Sequence, residues 1–590
     1  MQAAARQYFG VDAKDLTLGQ SAMLAGIVQN PSHLAPTERG KLKTEGVKKT
    51  MDRRDVVLNQ MVKWDMITRE QAEDAKLETF DATKGQRILK GCANSDYPFI
   101  CDYVERTLVS DQMKNLGDNE TERRNTLYRG GLRIQTLIDP GAQDSAQAAV
   151  TAQVASTDPV LANTVLIQPS TGLIVAMAQS RPVMGAKEFD ETFYNYNVGR
   201  GMGGAEGYQA GSTFKTFTLA SALNQGMTPD KRYNAPGNMQ FKGDTFRNCD
   251  GPFKFNQDYN PQNQFRRGYG NIDMMEAAQK SVNTYFIQLI RDTGICASID
   301  MAKLAGVKAS DGQDLRNQQN YPTFVLGVTD VTPLSMAEAY ATFANRGIHC
   351  DPIILKAVTR SDGTAIDVPS ANCKQVIRQE VADGVNYILK SVATKGTGRP
   401  AALLDGRDEA GKTGTTNSAA AVWYAGYTPD MAGVAMIAID KTNPYFKNHR
   451  RSLDGIRVAG GRLDGSGGGD AGKIWKAAMR SALKDGPKTK FTDPSKTILE
   501  GVKVPVPDVK EMSASEAEDT LKAAGFSTQR TLVYSDRRKG SFLGIEPSKE
   551  AVKFSTIRIK ISNGPKPAPV VTAPPSGPPV APPPNPDPEG

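Results

Sequence analysis

The sequence predicts a multidomain α/β protein. With 590 residues, the chain is long enough for about three or four domains, since a domain typically has roughly 100 to 200 residues. Between residues 161 and 487, helical patterns such as PLSMAEAYATFANRG alternate with strand patterns such as VWYAGYTP and MAGVAMIAI. This alternation predicts a sheet with helices on its faces. Helical periodicity precedes this region and a short strand–helix–strand pattern follows it, so smaller domains are expected on both sides.

The N-terminal 85 residues are predicted to be helical. The segments TLGQSAMLAGIVQNPSHLAP and RRDVVLNQMVKWDMITREQAEDA have apolar residues at helical spacing, and Thr68 is placed to cap a helix. Residues 86–160 are interpreted as a connector, in which Cys92 and Cys101 flank a short loop and GGLRIQTLID is a strand.

Three further segments have clear patterns. TVLIQPSTGLIVAMAQ predicts a hairpin at the start of the α/β domain, because two apolar runs flank turn residues. VPDVKEMSASEAEDTLKAAGFSTQ predicts a strand, a helix and a strand, and STIRIKISNG predicts a closing strand within a unit at 500–564. Residues 565–590 are rich in proline, which predicts an extended, unfolded tail.

Composition and charge exclude several classes of function. Hydrophobic residues make up 39% of the chain and charged residues 23%, which is ordinary for soluble globular protein. The net charge of +8 suits an anionic cell surface, but no nucleic-acid recognition motif accompanies it, so no nucleic-acid partner is expected. No apolar run reaches the roughly 18 residues that span a bilayer, and the N-terminus has no signal-peptide pattern.

The cysteines and histidines predict no metal site. There are three histidines and six cysteines, and none of the cysteines forms a Cys-x-x-Cys pair. An even number of cysteines fits disulfides formed in an oxidising compartment, with 15 connectivities open, or alternatively six unrelated buried thiols. The cysteines are Cys92, Cys101, Cys249, Cys296, Cys350 and Cys373.

Three short motifs in the α/β domain are candidates for a nucleophilic site. Ser212 and Lys215 stand three positions apart at a predicted helix start, where unpaired backbone N–H groups favour developing negative charge. A lysine acts as a base only when burial or a second cation lowers its pKa, and Lys412 could be that cation. The motifs are Ser212-Thr213-Phe214-Lys215, Ser281-Val282-Asn283 and Lys412-Thr413-Gly414.

Each motif by itself has an ordinary structural interpretation. Ser212 could cap a helix beside a solvated lysine, Ser281 and Asn283 are common cap residues, and Lys412 could begin a turn. Their order and separation in one domain favour a serine–lysine site. Since no histidine lies beside a candidate serine, this site is preferred to a histidine-based triad.

The three motifs resemble the S-x-x-K, S-D-N and K-T-G signature of class A β-lactamases and penicillin-binding proteins, with Val282 in place of the aspartate. GQSAMLAGIVQNPSHLAPT and RRDVVLNQM are similar to the end of a peptidoglycan glycosyltransferase domain, and LRIQTLID is similar to a linker strand. VLGVTDVTPLSMAEAYATFANRGIHCDPIIL and GKTGTTNSAAAVWYAGYTP resemble a transpeptidase, and VPDVKEMSASEAEDTLKAAGF with SNGP resembles a PASTA domain. The chain therefore resembles a bifunctional class A penicillin-binding protein over nearly its whole length.

The resemblance implies five regions and a serine β-lactamase/transpeptidase-like α/β fold for the largest. They are a family 51-like glycosyltransferase remnant (1–85), a linker (86–160), the transpeptidase domain (161–487), a small α+β PASTA domain (500–564) and the proline-rich tail (565–590). The catalytic part of the glycosyltransferase would lie upstream of Met1, so no glycan polymerisation by this chain alone is expected. A membrane anchor is likewise expected before Met1 in a longer protein, at the outer face of the plasma membrane or in the cell wall.

The resemblance also implies a role for each motif residue. Ser212 would attack the D-Ala-D-Ala stem peptide, Lys215 would take its proton, and Ser281 would relay a proton to the leaving group. Asn283 would bind the substrate amide and Lys412 would supply positive charge. Substrate-binding residues would be Thr413, Gly414, Thr415 and Trp423, and the N–H groups of Ser212 and Thr415 would form the oxyanion hole.

No cofactor is implied. The expected partners are peptidoglycan stem peptides, β-lactams, and cell-division or elongation proteins. Three alternatives remain open: a D,D-carboxypeptidase, a non-catalytic wall-binding protein, and a β-lactamase, which would need an activated deacylating water. One position departs from the family pattern, since Ala421 stands where an acidic residue is usual, and a local change in strand contacts is expected there.

Overall fold

The structure is a computed structural model that describes residues 1–38, 41–85, 91–566 and 581. Its N-terminal region is helical, as the sequence predicts. The elements are α1 (Gln2–Phe9), α2 (Leu18–Ile27), α3 (Pro31–Leu34), β1 (Thr37–Glu38), β2 (Lys41–Leu42), α4 (Thr44–Lys63) and α5 (Arg69–Leu77). The predicted cap at Thr68 is confirmed, because its hydroxyl accepts a hydrogen bond from the backbone N–H of Gln71 and the Gln71 side chain accepts one in return.

The next region contains more structure than a connector. It comprises α6 (Pro98–Val109), α7 (Glu120–Tyr128), β3 (Leu132–Thr136) and α8 (Pro140–Gln153). The predicted strand is confirmed as β3. α8 packs against the large sheet, because Ala146 and Val150 on this helix are buried in a core shared with that sheet. The boundary at residue 161 stays a prediction.

The α/β domain is built on a five-stranded sheet whose strands come from both ends of the domain. Its elements are β4 (Val160–Gln168), β5 (Leu173–Gln179), β6 (Tyr208–Gln209), α9 (Lys215–Asn224), β7 (Tyr233–Ala235), β8 (Thr245–Arg247), β9 (Pro252–Lys254), β10 (Gly270–Ile272), α10 (Met274–Gln279), α11 (Asn283–Thr293), α12 (Ile295–Ala305), β11 (Asp330–Val331), α13 (Pro333–Ala344), β12 (Ile348–His349), β13 (Leu355–Arg360), β14 (Ala365–Ile366), β15 (Lys374–Gln375), α14 (Gln379–Lys395), β16 (Ala410–Thr415), β17 (Ala421–Tyr427), β18 (Ala432–Ile439), α15 (Tyr445–Asn448), β19 (Arg457–Val458), β20 (Gly461–Arg462) and α16 (Gly472–Ala482).

The sheet has the strand order β16-β17-β18-β4-β5, with every neighbouring pair antiparallel. The predicted hairpin is confirmed as β4 and β5, and the two predicted strands VWYAGYTP and MAGVAMIAI are confirmed as β17 and β18. β17 begins at Ala421 and pairs with both neighbours without a shift in register. The sheet therefore runs regularly up to β16, the edge strand that carries Lys412.

Helices cover both faces of this sheet. On one face, α8 and α16 pack through a core that includes Val150, Trp475 and Met479. On the other, α9, α13 and α14 pack through a larger core around Phe214, Phe217 and a set of aliphatic side chains. Alternate side chains of a strand point to opposite faces, so strands that are buried throughout, such as β17 and β18, are apolar on both. The predicted sheet with helices on its faces is confirmed.

The C-terminal region forms a separate small fold with its own core, which includes Leu521, Phe526 and Ile559. It is preceded by α17 (Lys496–Glu500), whose Ile498 packs in the core of the α/β domain. Its own elements are β21 (Lys503–Pro505), α18 (Ala514–Ala523), β22 (Ser527–Val533), β23 (Phe542–Glu546), β24 (Glu550–Val552) and β25 (Thr556–Ser562). The predicted helix is present as α18, and the second and closing strands are present as β22 and β25. The first predicted strand is misplaced, since the strand β21 ends at Pro505, just before the predicted segment, and β23 and β24 are additional. Lys231 joins this fold to the α/β domain, since its Nζ donates to Ser527 Oγ (2.7 Å) and to the Phe554 carbonyl (2.9 Å).

All six cysteines are paired, so the alternative of unrelated thiols is wrong. The disulfides are Cys92–Cys101, Cys249–Cys296 and Cys350–Cys373. Among the described residues, no helix combines the length and the apolar character needed to cross a bilayer. The predicted extended tail at 565–590 falls outside the described residues from residue 567 onward, except for residue 581.

Candidate active site

Ser212 lies in a tight turn at the start of α9. Residues Gly211–Phe214, named here the serine turn, form one 3-10 turn, and the α-helix proper begins at Lys215. Ser212 is half-buried, and its hydroxyl has no hydrogen-bond partner within the described part of the chain. The hydroxyl is therefore available to a ligand, and it is not bonded directly to Lys215.

Three glycines bring the serine turn against β16 and a second turn. A Cβ on Gly414 would lie 2.2 Å from the Ala210 carbonyl oxygen, and one on Gly211 would lie 2.9 Å from the Thr415 nitrogen. A Cβ on Gly327 would lie 2.1 Å from the Gly211 oxygen, and both Gly211 and Gly327 have positive φ. Side chains cannot occupy these contacts, so glycine sets the position of Ser212 relative to β16.

Lys215 is fully buried and is held by the Ser281 loop. Its Nζ donates to the Ser281 carbonyl (2.6 Å) and to Asn283 Oδ1 (2.6 Å), and lies 3.3 Å from Ser281 Oγ. Burial, followed by the charge of Lys412, holds the pKa of Lys215 well below its usual range. The depressed pKa that the sequence argument requires of Lys215 is therefore present, with Lys412 as the second cation.

Lys412 reaches the same serine from β16. Its Nζ donates to Ser281 Oγ at 2.8 Å and to the Thr413 carbonyl at 3.1 Å. Burial lowers the pKa of Lys412 to about 7. The Ser281 hydroxyl therefore lies between two amines whose pKa values are both depressed, an arrangement suited to moving a proton.

The loop that carries Ser281 has a backbone conformation unusual for serine. Ser281 has φ +55°, in the left-handed region, and it lies between α10 and α11 rather than opening a helix. Asn283, the first residue of α11, accepts from Lys215 and donates through Nδ2 to the Gln262 carbonyl (2.7 Å). Strained backbone of this kind is concentrated at functional sites, because only surrounding contacts can hold it.

The remaining predicted residues divide between the surface and the interior. Thr415 is exposed at the end of β16, whereas the buried Thr413 hydroxyl lies 2.8 Å from the Thr397 hydroxyl. Trp423 is fully buried and donates through Nε1 to the Gln209 carbonyl (2.8 Å). The substrate contact expected of Trp423 stays a prediction; in the structure the indole supports the segment that leads into the serine turn.

Some residues of the site were not found from the sequence. Gly211 and Gly327 allow two backbone segments to lie in close contact. The Thr397 hydroxyl contacts the Thr413 hydroxyl on the edge strand β16. Tyr340 on α13 donates to the Thr213 carbonyl (2.9 Å) from beneath the turn. None of these positions has a local pattern that marks it, because each depends on a contact between segments distant in the sequence.

A separate cluster offers metal-ligand atoms away from the site. One atom each of Glu338, His349 and Asp351 lie within 4.8 Å of one another. The buried Glu338 carboxylate already accepts from Lys308 Nζ (3.1 Å) and lies 2.8 Å from His349 Nε2. The Glu338 charge is therefore balanced by Lys308 without a metal ion, and the cluster supplies no group to the serine site.

Two family comparisons match the chain. Residues 162–453 match the penicillin binding protein transpeptidase domain, and residues 1–62 match the transglycosylase family. The transpeptidase match contains all three motifs. The transglycosylase match covers the region of α1 to α4, which agrees with the resemblance noted for the N-terminal helices.

Curated relatives are similar over most of the chain. Penicillin-binding protein 2D of Bacillus subtilis is 26% identical over 506 residues, covering 84% of this chain and 63% of that protein. Penicillin-binding protein 1A of Mycobacterium tuberculosis is 27% identical over 514 residues, covering 84% and 55%. The chain thus spans less than two thirds of the length of either relative.

Solved structures agree with this assignment. The PonA1 protein of Mycobacterium tuberculosis in complex with penicillin V has a TM-score of 0.51 and 25% identity, over 67% of this chain and 96% of that one. Penicillin-binding protein 1A of Haemophilus influenzae has a TM-score of 0.58 over 86% of this chain and 85% of that one; at 19% identity it supports the fold alone. Residues 162–453 thus match the transpeptidase-domain family of the penicillin-binding proteins and residues 1–62 match the transglycosylase family, on a fold shared with these solved structures.

Proposed function

We propose that the protein is a D,D-transpeptidase that cross-links peptidoglycan stem peptides through a serine acyl-enzyme, and that β-lactams acylate the same serine. One observation carries the proposal: two buried lysines of depressed pKa meet on the Ser281 hydroxyl, and one of them, Lys215, stands three positions after Ser212 at the start of α9. A neutral buried amine is a competent base at ordinary pH, whereas a solvated lysine is not.

In the first half-reaction, Ser212 Oγ attacks the carbonyl carbon of the penultimate D-alanine. Its proton passes to the neutral Lys215 as the ester bond forms. The C–N bond to the terminal D-alanine breaks, and that nitrogen takes a proton from the Lys215 and Ser281 pair, whose atoms already lie 3.3 Å apart. Lys412 stabilises the charge that shifts through the Ser281 hydroxyl.

In the second half-reaction, an amine from a neighbouring stem peptide attacks the ester. Ser212 leaves with the proton that the amine gives up, so the enzyme returns to its starting state. The backbone N–H groups of Ser212 and Thr415 are the proposed oxyanion donors, and removal of one such donor in acyl-transfer enzymes costs roughly 3 to 4 kcal/mol. The exposed Thr415 hydroxyl is the proposed ligand of the terminal carboxylate, with Thr413 supporting β16 beneath it.

We further propose that the protein works outside the plasma membrane. Three disulfides within the described chain fit an oxidising compartment. The C-terminal fold at 500–564, with one helix and a three-stranded sheet of order β22-β25-β23, is proposed to be a PASTA domain. Residues 1–85 are proposed to be part of a transglycosylase domain.

A fluorescent penicillin tests the catalytic proposal. The wild-type protein should take a stable label at one site, identified by peptide mass spectrometry as Ser212, and Ser212→Ala should take none. Ser170→Ala, which alters an exposed serine in the β4–β5 turn, is the matched control and should label normally. A folded wild-type protein that takes no label would refute the proposal.

The same assay, extended to products, separates the related activities. With a D-Ala-D-Ala donor and an added amine, a transpeptidase forms the new amide and releases D-alanine. Release of D-alanine without the amide product would indicate a D,D-carboxypeptidase, and rapid loss of the penicillin label would indicate a β-lactamase.

A further inference from the structure

The loop at residues 262–267 exposes an aromatic side chain in a strained conformation. Phe265 is 91% exposed and has φ +56°, and the next residue, Arg266, has φ +51°. Bulky side chains rarely adopt the left-handed region, and such conformations cost about 1 to 3 kcal/mol each. The surrounding structure must hold this loop in place.

Buried contacts hold it. Asn263 is buried, and its Nδ2 donates to the Pro236 and Arg267 carbonyls (2.8 and 2.9 Å) while its Oδ1 accepts from the Thr284 backbone N–H (3.0 Å). A Cβ on Gly237 would lie 2.1 Å from the Arg266 oxygen, so the chain also packs closely from the other side. Phe265 is thus presented to solvent by a fixed backbone and is not the tip of an unconstrained loop.

The loop is joined directly to the active site. The Gln262 carbonyl accepts from Asn283 Nδ2 at 2.7 Å, and Asn283 Oδ1 in turn accepts from Lys215 Nζ at 2.6 Å. Two hydrogen bonds therefore connect the start of the loop to the proposed base. A ligand bound by Asn283 would therefore lie beside the residue that begins this loop.

The loop also carries positive charge without a carboxylate. Arg266 donates through Nε to Gln262 Oε1 (3.0 Å), and the Arg267 guanidinium lies 5.3 Å from the Tyr269 ring centroid. Neither arginine forms an ion pair with any residue that the structure describes. An exposed arginine next to an exposed aromatic ring suits a ligand with an apolar part and a carboxylate.

We propose that the 262–267 loop is a specificity element for the acyl donor: Phe265 packs on an apolar side chain of the donor peptide, and Arg266 binds a carboxylate on it. This inference rests on the proposed transpeptidase function. It assigns donor selectivity to residues outside the three motifs, and it predicts that β-lactams are selected by their acyl side chains at the same loop.

Three penicillins test the proposal, by their second-order rates of acylation. Benzylpenicillin carries an aromatic acyl side chain, carbenicillin carries the same group with an added carboxylate, and 6-aminopenicillanic acid lacks the acyl group. Phe265→Ala should lower the acylation rate with benzylpenicillin about tenfold, because most of one aromatic contact with the ligand is lost. The acylation rate with 6-aminopenicillanic acid should change less than twofold. Arg266→Gln should lower the carbenicillin to benzylpenicillin rate ratio about tenfold.

Two further variants control for loop structure. Phe265→Gly removes the side chain and the cost of the positive φ together, so it should show the same selectivity as Phe265→Ala. Leu404→Ala is the matched surface control, because Leu404 is also exposed (80%), has φ +58°, and has no hydrogen bond to the three motifs among the described residues. It should leave all three rates unchanged.

The outcomes separate this inference from the proposed function. If Phe265→Ala and Arg266→Gln keep the wild-type rate ratios while Ser212 is acylated normally, the inference is wrong and the transpeptidase proposal stands. An equal loss with all three penicillins in Phe265→Ala, reversed in Phe265→Gly, would mean that only the loop conformation matters, and would also overturn it. If no penicillin acylates the wild-type protein, the proposed function itself fails.

Discussion

The positive charge of Lys412 should control the pH at which Lys215 becomes a base. Both Nζ atoms contact Ser281 Oγ, at 3.3 Å from Lys215 and 2.8 Å from Lys412, so they are no more than about 6 Å apart. Two unit charges at that distance repel by about 3 kcal/mol at an effective dielectric constant of about 20. Lys412→Met removes this repulsion at similar side-chain volume, so the pKa of Lys215 should rise.

The expected direction of the pH profile follows from the two groups. Lys215 acts as the neutral amine, so acylation is lost as the pH falls through its depressed pKa. The pKa of Lys412 is about 7, so its charge is lost as the pH rises above that value. The wild-type rate should therefore rise, pass through a maximum and fall above about pH 7. In Lys412→Met the acidic limb should move to higher pH and the alkaline fall should disappear.

The measurement is the rate of β-lactam acylation between about pH 5 and 9, followed by intact-protein mass spectrometry so that slow variants remain measurable. Lys473→Met, at an exposed lysine on α16, is the control and should keep the wild-type profile. An acidic limb that stays at the wild-type pH in Lys412→Met would show that the two lysines are not electrostatically coupled, and the argument for Lys215 as a base assisted by Lys412 would fail.

Three further predictions concern stability and geometry. Lys412→Met should stabilise the fold by at most about 5 kcal/mol below pH 7, because the folded pKa of about 7 lies below the ordinary 10.5 and disfavours the charged folded state. This gain in the free energy of unfolding should vanish as the pH rises toward 10.5, and urea unfolding at pH 6 and 9 measures it. Gly327→Ala should abolish acylation in a protein whose circular dichroism is unchanged, whereas Gly226→Ala, also at positive φ but with nothing within 4 Å, should not. Trp423→Phe should lower the free energy of unfolding by about 1 to 3 kcal/mol, since it leaves the Gln209 carbonyl without its donor, and equal stability in urea would contradict that role.

Much of the architecture could be predicted from periodicity. The β4–β5 hairpin, the apolar strands β17 and β18, and helix α13 have strong local patterns that agree with their packing. The packing of α8 against the large sheet was not predicted, because its alanine-rich sequence indicates a helix but not which core it joins. β23 and β24 were missed because their sequences, FLGIE and EAV, are short and contain glycine or charged residues.

The candidate site could be predicted only in part, because a local sequence pattern gives residue type and spacing but not burial. Residue type and spacing predict Ser212, Lys215 and Lys412, because a serine nucleophile needs a nearby base and a lysine base needs a second cation to lower its pKa. Burial depends on contacts between distant segments and cannot be read in the same way, so the full burial of Trp423 was not predicted. The positive φ of Ser281 and the disulfide partners also depend on contacts between distant segments, which no local pattern encodes.

The glycine contacts around the serine turn indicate which positions of this domain tolerate substitution and which do not. Gly211, Gly327 and Gly414 place Ser212 by close backbone contacts, so any side chain there would displace the proposed nucleophile together with the proposed oxyanion donors. Phe265 and Arg266 in the 262–267 loop are exposed, so their side chains can change without altering these glycine contacts. Selectivity for donors or drugs can therefore diverge among such chains while the acyl-transfer geometry stays constant, and a search for resistance substitutions should begin at the loop.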